Sequence, residues 1–450
     1  MEDTAQLQIF KDFDSYSPRY HFFKNSLFGQ IKDSIPWEEL AGCLPADNKG
    51  PGAPRWFDAK GMFAMMFLKS YLNVSDRQLI ERFNTDYSLQ MFCGKILAAD
   101  KQIRDYTLMT GIRAYIEENC EWEQVQSVLL DHWKRDVNNS HVLLMDATCY
   151  ESYIRFPTDV KLLWECCEWL FEKQLFRLCK ILKTKRPRSK YREQKIKQLA
   201  YFRKRKNTHK ETLRRRESLV YLLEKGIGQL QQVMDRFRGE CMRPEDFACL
   251  RTIKKILVQQ TFLLTHQPSE LKDRIVSLHK PYVRPIVRGK ENKPVEFGMK
   301  VHMLQVDGLS FIDKMSFRNF NECKRLKISV VKHKTVFKGT SQLGADRIYA
   351  TNENRRYCTG NSIFTCFPKK GPKNHSKAEK ILSSEISKQR ATVMEGIFGT
   401  HKDHYGLRKI KVKGEKREML MVLFATMAAN AVKIAKKRNR EEPAPREKAA

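Results

Sequence analysis

The stretch His141-Val-Leu-Leu-Met-Asp146 decides the fold class of this 450-residue chain. It is a short apolar run that follows the turn formers Asn138-Asn139-Ser140 and ends in a carboxylate. A run of this length and composition is typical of a buried strand. We therefore predict a strand over 141–146 that brings Asp146 to the end of a sheet, in a protein of the α/β class.

The later part of the chain carries more strand-like segments and two long helices. The dipeptide Asp307-Gly308 favours a two-residue hairpin turn between two of these strands. The predicted strands are 297–306, 309–315, a short one that runs into Asp346, and 362–367, and the predicted closing helices are 377–402 and 415–437.

The remaining segments are predicted to be mostly helical. Residues 58–93 show helical spacing, with Ser75 as the N-cap of a short helix through Phe83, and another helix is predicted over 106–120. These short helices suit a helix-turn-helix-like DNA-binding module, and they suit any small helical bundle equally well. Residues 160–280 are predicted to be almost wholly helical, with leucine and isoleucine stripes that would form a core.

The net charge of the chain points to a polyanionic partner. Lys and Arg total 84 against 52 Asp and Glu, which gives a formal charge of +32 at pH 7. Nucleic acid is the first candidate partner for such a surplus. The densest positive stretch is 181–216, the basic segment, where 16 Lys or Arg residues accompany only Glu193 and Glu211.

The basic segment has two interpretations. One is a solvated helix face, but such a face normally mixes both signs of charge, so we favour contact with phosphates. The residues expected to bind DNA there are Arg203, Lys204, Arg205, Lys206, Arg214, Arg215 and Arg216.

Several common kinds of site are missing from the sequence. There is no phosphate-binding P-loop, no H-E-x-x-H, no G-x-S-x-G and no C-x-x-C motif, so nucleotide hydrolysis, serine hydrolysis and cysteine-ligated zinc are not indicated. The 12 cysteines are expected to be free thiols in a reducing cytoplasm. The amino terminus shows no secretory signal pattern. The longest apolar run, 419–432, falls short of the roughly 20 residues that span a membrane, so it predicts a buried helix and no membrane partner.

Three carboxylates form a possible metal site. Asp146 and Asp346 follow predicted strands, and Glu395 lies in a predicted helix. Carboxylate oxygens suit Mg²⁺, and two such ions about 4 Å apart support in-line phosphoryl displacement. Strand-end aspartates are common, so the spacing alone indicates this chemistry only weakly.

The residues around these acids resemble the DDE transposases of bacterial insertion sequences. The matching stretches are Asp146-Ala-Thr-Cys-Tyr-Glu-Ser with Phe156-Pro-Thr-Asp159, Arg288-Gly-Lys with Val295-Glu-Phe-Gly-Met-Lys300, Gly344-Ala-Asp346-Arg-Ile-Tyr349 with Asn354-Arg355, Glu395-Gly-Ile-Phe-Gly-Thr-His-Lys402 with Tyr405-Gly-Leu407, and Leu72-Asn-Val-Ser-Asp-Arg-Gln-Leu79.

The resemblance implies a role for each matched residue. Asp146, Asp346 and Glu395 would be the catalytic acids that bind two Mg²⁺ ions, with Mn²⁺ as a possible substitute. Lys402 would match the Lys of the family's Y-x2-R-x3-E-x6-K signature and hold a DNA phosphate. Arg390 is the candidate for the signature Arg and would act as a phosphate clamp, but it lies one residue too early. Lys388 stands where the signature has Tyr, so the sequence departs from the signature at both positions.

The resemblance also implies an architecture. We expect a ribonuclease-H-like mixed sheet flanked by helices, formed by 136–160 and 285–435 and interrupted by a long basic helical insertion, 161–284. A helical amino-terminal domain, 1–135, would bind end DNA or mediate dimerisation. Residues 436–450 are predicted to be a disordered tail.

The function implied is DNA transposition. The chain would cleave phosphodiesters at the element's ends and transfer the 3′-hydroxyl into target DNA. The implied partners are terminal inverted repeats, target DNA and a second copy in a synaptic dimer, in the cytoplasm of a prokaryotic cell. The alternatives are an inactive or domesticated DNA-binding derivative and an RNA-directed nuclease of the same fold.

Other conspicuous residues have structural interpretations. We expect Asp159 to act in the first turn of a helix rather than on a metal. Tyr349 and Asn354 are expected to brace the turn after Asp346, Trp164 and Trp169 to be core rather than to stack on a base, and His401 and His404 to be surface residues.

Overall fold

The computed structural model describes residues 18–46, 55–98, 100–237, 242–288, 294–368, 370 and 376–441. Contacts divide the chain into two units. The first unit comprises Met1–Glu151, Lys300–Ser316 and Phe320–Ala450, and the second comprises Ser152–Met299 and Phe317–Asn319. The predicted amino-terminal domain falls in the first unit together with most of the sheet, and the predicted insertion, 161–284, falls in the second.

Helices make up most of the described chain. In chain order the α-helices are α1 Pro18–Asn25, α2 Leu27–Asp33, α3 Trp37–Ala41, α4 Ala59–Tyr71, α5 Asp76–Thr85, α6 Tyr87–Cys93, α7 Leu108–Asn119, α8 Trp122–Trp133, α9 Asp159–Glu168, α10 Phe176–Ile181, α11 Tyr191–Arg203, α12 His209–Arg236, α13 Pro244–Phe262, α14 Leu326–Phe337, α15 Asn352–Gly360, α16 Lys377–Gln389, α17 Glu395–Asp403 and α18 Glu415–Glu441. Two π turns, Trp169–Leu175 and Arg390–Met394, join α9 to α10 and α16 to α17, and short 3-10 turns cover Lys134–Asp136, Pro268–Glu270, Glu322–Arg325 and Arg347–Tyr349.

The strands form a mixed sheet. They are β1 Val142–Glu151, β2 Arg284–Val287, β3 Val295–Val306, β4 Leu309–Ser316, β5 Gln342–Gly344 and β6 Phe364–Thr365. β3 pairs antiparallel with β4, β1 pairs parallel with β5, and β5 pairs parallel with β6. β1 lies between β3 and β5, and β2 pairs antiparallel with the first residues of β3.

The predicted hairpin is confirmed. Asp307 and Gly308 have φ values of 48° and 88°, and they connect β3 to β4. Two consecutive positive φ angles are what a tight two-residue hairpin requires, which explains the choice of these residues.

The first predicted strand is longer than expected. β1 continues through Glu151, so Asp146 lies within the strand and the prediction that it ends there is wrong. Ala147 to Tyr150 are all buried, so neither face of the strand shows the alternation that would have revealed its continuation.

The amino-terminal helices of the first unit are held by capping and by ion pairs. Ser75 is the N-cap of α5, as predicted, and it also forms a capping box with Gln78. Asp76 accepts from the buried guanidinium of Arg113 and lies 2.9 Å from Lys69 Nζ, which ties α5 to α7 and α4.

The last helix belongs to the core of the first unit. α18 packs against α4 and β4. By length and composition it could cross a membrane, but 78% of its most apolar window is buried, as expected for a core helix. It runs to Glu441, beyond the predicted end at Lys437, so the start of the predicted tail is helical. Residues 442–450 of that tail lie outside the described residues.

The second unit has its own apolar core. Leu219, Leu222, Leu223 and Leu230 form the predicted stripe on α12 and are buried against α9, the first π turn and α13. A Cβ at Gly226 would lie 2.7 Å from the Leu170 and Phe171 side chains, so glycine permits this close packing. Trp164 and Trp169 are buried in the same core, as predicted.

Candidate active site

Strand register brings two of the predicted acids to one edge of the sheet in the first unit. Leu144 of β1 pairs with Gly344 of β5, and the two strands are parallel. Asp146 and Asp346 each lie two residues beyond that pair, so both are at the same end of neighbouring strands. We call these two aspartates, together with Glu395, which directly follows the π turn that contacts β1, the acidic edge.

A glycine lets a helix approach this edge closely. A Cβ at Gly344 would lie 2.6 Å from Leu144 Cδ2 and 3.0 Å from Ile386 Cγ2. Arg390 Cβ lies 3.5 Å from the same point. Glycine at 344 therefore favours the close packing of α16 on β5, because any larger residue would force the Leu144 and Ile386 side chains to move.

The π turn accounts for the displaced arginine. Residues Lys377–Asp403 form one helical segment, in which the π turn Arg390–Met394 joins α16 to α17. A π turn holds about one residue more than an α-helical turn. The signature places its Arg four residues before the Glu, on the same face of a regular helix. Because the π turn adds about one residue, Arg390, five residues before Glu395, can lie on that same face. The signature Tyr still has no counterpart.

Arg390 binds the first acid directly. Its Nη1 lies 2.9 Å from Asp146 Oδ2, and each side chain is 19% exposed. Burial raises the pKa of Asp146 above its ordinary value, while the Ala147 amide and the Arg390 charge oppose that shift. The charges of Glu322 and Asp346 raise it further, which agrees with the proximity of those carboxylates.

The helix beyond the π turn follows β1. Glu395 begins α17 and is exposed. Lys402 Nζ lies 3.4 Å from Thr148 Oγ1 of β1, and it faces the Tyr150 ring at 6.0 Å. Glu395 and Lys402 are seven residues apart, which is about two turns of a helix, so they lie on one side of α17.

The acids suit Mg²⁺ in chemistry, but they do not form a finished metal site in this arrangement. Within the described residues, no three His, Cys, Asp or Glu side chains are grouped so that they could hold one ion. The expected three-acid group is therefore not assembled: Asp146 is engaged by Arg390, and Glu395 projects from an exposed helix position.

Sequence reasoning missed a further acid near this edge. Glu322 Oε2 is buried without a hydrogen bond and lies 3.6 Å from Lys300 Nζ. It begins a 3-10 turn, not the end of a strand, so no pattern in the sequence marked it. Lys300 itself belongs to one of the stretches that carry the family resemblance.

His401 corrects the expectation of a surface histidine. It is fully buried, and its Nδ1 lies 2.8 Å from the Tyr150 hydroxyl. Burial lowers its pKa to about 3. The helix face that packs on β1 therefore includes His401, and only His404 is exposed as predicted.

The basic segment, in the second unit, divides into exposed and internally paired cations. Arg203, Arg205, Lys206 and Arg214 are exposed. Lys204 Nζ is 2.6 Å from Glu211.

Two arginines of the segment help to hold the second unit together. Arg215 is buried, and its guanidinium donates to Gln198 Oε1 at 2.7 Å and to the Gln194 carbonyl at 2.8 Å. Arg216 donates to the Leu263 carbonyl at 3.0 Å. The structure therefore places Arg215 where DNA could not reach its guanidinium.

Asp159 has the structural role expected of it. It is the first residue of α9, after the Thr158 N-cap. Its Oδ1 accepts from Gln260 Nε2 at 2.8 Å and from Arg274 at 2.7 Å, both within the second unit.

A comparison with known families gives one match. A family model described as a transposase domain (DUF772) matches residues 17–114, which include α1 to α6 and the first half of α7. The match supports a transposase family and a transposition function for this chain. No curated protein and no solved structure matches it.

Proposed function

We propose that this chain is a DDE transposase that cleaves phosphodiesters at the ends of a mobile element and joins the freed 3′-hydroxyl to target DNA. One observation carries the proposal: the β1–β5 register places Asp146 and Asp346 at one edge of the sheet. The transposase-domain match lies before β1, so the chemistry is argued from the acidic edge itself.

The mixed sheet supports the proposed ribonuclease-H-like core. Asp146 lies in β1 and Asp346 follows β5, which is parallel to it. The helical segment that bears Glu395 packs on β5 through α16 and on β1 through its π turn. Strands far apart in the chain thus supply acids to a common edge, which is what the core of such an enzyme needs.

The acids are proposed to bind two Mg²⁺ ions, for which Mn²⁺ could substitute. When bound, these ions would activate the attacking oxygen and stabilise the leaving oxygen. Asp146, Asp346 and Glu395 would supply carboxylate oxygens, which is the ligand type that Mg²⁺ prefers.

Two cations are proposed to orient the DNA backbone. Arg390 reaches the acidic edge, and a guanidinium can bind phosphate through two parallel hydrogen bonds. Lys402, on the same continuous helical segment, would hold a phosphate as a point charge. Transfer of Arg390 from Asp146 to a phosphate would free that carboxylate for its ion.

Contacts away from the acidic edge are assigned to the basic segment. Its exposed members Arg203, Arg205, Lys206 and Arg214 are proposed to bind phosphates of the terminal inverted repeats or of the target. Lys204 could also bind a phosphate if its ion pair with Glu211 breaks. Arg216 could do so if its hydrogen bond to the Leu263 carbonyl breaks. Pairing of two ends implies a homodimer, in the cytoplasm of a prokaryotic cell near its nucleoid.

A supercoiled-plasmid nicking assay with Mg²⁺ tests the function. Wild type should nick the plasmid and Asp146→Ala should not. Glu395→Gln should also fail, whereas Glu385→Gln, an exposed glutamate ten residues earlier on the same helical segment, should behave as wild type. Equal nicking by all four proteins would contradict the proposal.

A second candidate is a non-catalytic DNA-binding protein derived from a transposase. The Arg390–Asp146 ion pair favours it, because Arg390 occupies an Asp146 oxygen that a metal would otherwise take. DNA binding without nicking would support this alternative. Preference for RNA over a duplex that carries terminal inverted repeats would instead support an RNA-directed nuclease.

A further inference from the structure

The segment that joins α17 to α18 in the first unit carries a short run of positive charge. Residues 407–413 read Leu-Arg-Lys-Ile-Lys-Val-Lys, with four cations and no acid. Arg408 forms an ion pair with Asp403. Within the described part of the chain, no ion pair involves the other three cations, which are exposed: Lys409, Lys411 and Lys413. We call these three residues the lysine row.

The lysine row lies on one face of an extended segment. Between its members, Ile410 is buried and Val412 is half-buried, so exposure alternates along the chain as it does in a strand. Residues two apart in such a segment share a face and lie about 6.6 Å from each other. The row therefore spans about 13 Å, a length over which one strand of duplex DNA carries about four phosphates.

The segment that carries the row is anchored to the fold of the first unit. The amide of Ile410, which is 2% exposed, donates to the Glu151 carbonyl at the end of β1, at 2.8 Å. Gly406 has a φ of 76° and lies against the turn between α4 and α5, where a Cβ on it would be 2.6 Å from Asn73 Oδ1. A surface that is already ordered binds a partner without the entropic cost of ordering it.

The row lies further along the strand that carries the first acid. Lys402 contacts Thr148, two residues after Asp146 on β1. The row is held at Glu151, three residues after Thr148. Five residues of strand measure about 17 Å, which is the length of about five base pairs of duplex DNA. A backbone that follows β1 would therefore meet the acidic edge, Lys402 and the lysine row in turn.

Positive charge also accumulates around the middle of the row. Burial lowers the pKa of Lys69 in α4, and the charges of Arg113 and Lys411 lower it further. Asp76, the acid that opposes this shift, is already bound by Arg113 and Lys69. A polyanion would be attracted to this concentration of like charge.

We infer that the lysine row binds the phosphate backbone of duplex DNA about five base pairs from the acidic edge. The inference deepens the proposed function and rests on it in taking DNA as the substrate. It assigns the row to binding, and it requires no metal ion. Because lysines that contact phosphates carry no sequence information, the contribution of the row should be the same for every DNA sequence.

The test is binding of a fluorescein-labelled duplex of about 30 base pairs and arbitrary sequence to the full-length chain, at about 50 to 200 mM NaCl. Fluorescence anisotropy measures the affinity, and EDTA keeps the result independent of metal binding. The row variant replaces Lys409, Lys411 and Lys413 together by Gln. It should bind at least about 10-fold more weakly, and the slope of log affinity against log salt should become shallower by about 3.

A control variant removes the same total charge from other places in the first unit. It replaces three exposed lysines from separate elements together by Gln: Lys101, Lys338 and Lys436. The control should change the salt slope by less than about 1, because its lysines do not form a row. Both variants alter only exposed side chains, so both should melt near the wild-type temperature.

Nicking of a supercoiled plasmid in Mg²⁺ separates the failure of the inference from that of the proposed function. The row variant should need at least about 10-fold more plasmid for half-maximal nicking, whereas the control should match wild type. Equal salt slopes for the row and control variants would overturn the inference alone. If wild type binds the duplex without nicking and only the row variant loses slope, the proposed function is overturned and the inference is supported. A wild-type chain that binds no duplex would overturn both.

Discussion

The basic segment of the second unit and the acidic edge of the first unit use their charges in opposite ways. In the basic segment, Arg215 is buried among glutamine groups, and Lys204 pairs with Glu211. At the acidic edge, Asp346 and Glu395 are exposed and only Asp146 is held in an ion pair. Some charges of the basic segment thus stabilise the second unit. At the acidic edge, strand register holds Asp146 and Asp346 at the same end of neighbouring strands, and Asp346 and Glu395 remain accessible to a ligand.

The difference teaches that position in the fold, more than charge density, decides which charges can act on a substrate. Sixteen cations in 36 residues form a strong sequence signal, yet one of them, Arg215, is buried and bonded to other groups of the protein, so it cannot bind a substrate. Two aspartates 200 residues apart form a weak signal, yet parallel pairing brings their strands together.

The largest expected effect is on chemistry at the acidic edge. Asp346→Asn keeps the size of an exposed side chain but removes its charge, so the fold should be unaffected. Mutation of a residue that only supports a metal ligand typically lowers affinity or activity by about 10- to 100-fold. Loss of a ligand itself should therefore lower Mg²⁺-dependent nicking by more than about 100-fold. Unchanged nicking would remove Asp346 from the active site.

The next largest effect concerns stability in the basic segment. Arg215→Ala leaves the buried Gln198 side chain and the half-buried Gln194 carbonyl without their partner, and such losses cost about 2–3 kcal/mol in the free energy of unfolding. Arg205→Ala, at an exposed position, should cost less than about 0.5 kcal/mol. Chemical denaturation of both variants measures the difference, and equal stabilities would show that Arg215 is not structural.

A glycine substitution tests the packing that supports the acidic edge. Gly344→Ala would place a methyl group 2.6 Å from Leu144 Cδ2. Overpacking of this kind costs about 1–3 kcal/mol and should displace α16, with a loss of nicking. Gly339→Ala meets nothing within 4 Å, so it should leave both stability and nicking near wild type. Wild-type nicking by Gly344→Ala would argue against the close helix–strand contact.

A smaller effect is expected when one exposed cation of the basic segment is removed. If Arg205 contacts a phosphate, Arg205→Ala should weaken binding to all DNA sequences alike. The slope of log affinity against log salt concentration should fall by about 1. Titrations between low and moderate salt measure this slope, with Arg215→Ala as the internal comparison, since it should leave the slope unchanged. An unchanged slope for Arg205→Ala would show that Arg205 makes no contact with a DNA phosphate.

The smallest effect is a pH dependence at the buried histidine of α17. Burial lowers the pKa of His401 to about 3, whereas an unfolded histidine titrates near 6.5. The unfolded chain therefore binds more protons between these values, and stability contributed by neutral His401 is lost as the pH falls below about 6.5.

A variant at the same position checks this dependence. His401→Leu should lower stability by a constant amount but make the melting temperature less sensitive to pH between about 6.5 and 4. The exposed neighbour gives the control, because His404→Leu should melt with the same pH profile as wild type. Identical profiles for His401→Leu and wild type would contradict the burial of His401.

The sequence allowed most of the secondary structure to be predicted, because local signals were strong. The capping residue Ser75, the Asp307-Gly308 turn and the leucine stripe of α12 act over a few residues, and all three are as predicted. The extension of β1 past Asp146 was not predictable in this way. Ala147 to Tyr150 are buried on both faces of the strand, so they do not show the alternation of apolar and polar residues that marks a half-buried strand.

The candidate site was less accessible to prediction, because its decisive features depend on distant partners. The π turn that realigns Arg390 breaks the 3.6-residue period on which sequence reasoning relies. His401 is buried because Tyr150, 251 residues away, supplies its hydrogen-bond partner. Glu322 reaches the acids from a turn that no motif marks. Tertiary contacts of this kind leave no periodic trace in the sequence.

The most direct test of the central claim is to map where a metal ion binds. Fe²⁺ can replace Mg²⁺, and with peroxide and ascorbate it produces hydroxyl radicals that cut the backbone beside the bound ion. For the chain bound to plasmid DNA, we predict cuts near residues 146, 346 and 395, all suppressed together by excess Mg²⁺. Cuts confined to other regions, or cuts near these residues that Mg²⁺ does not suppress, would contradict a shared metal site at the acidic edge.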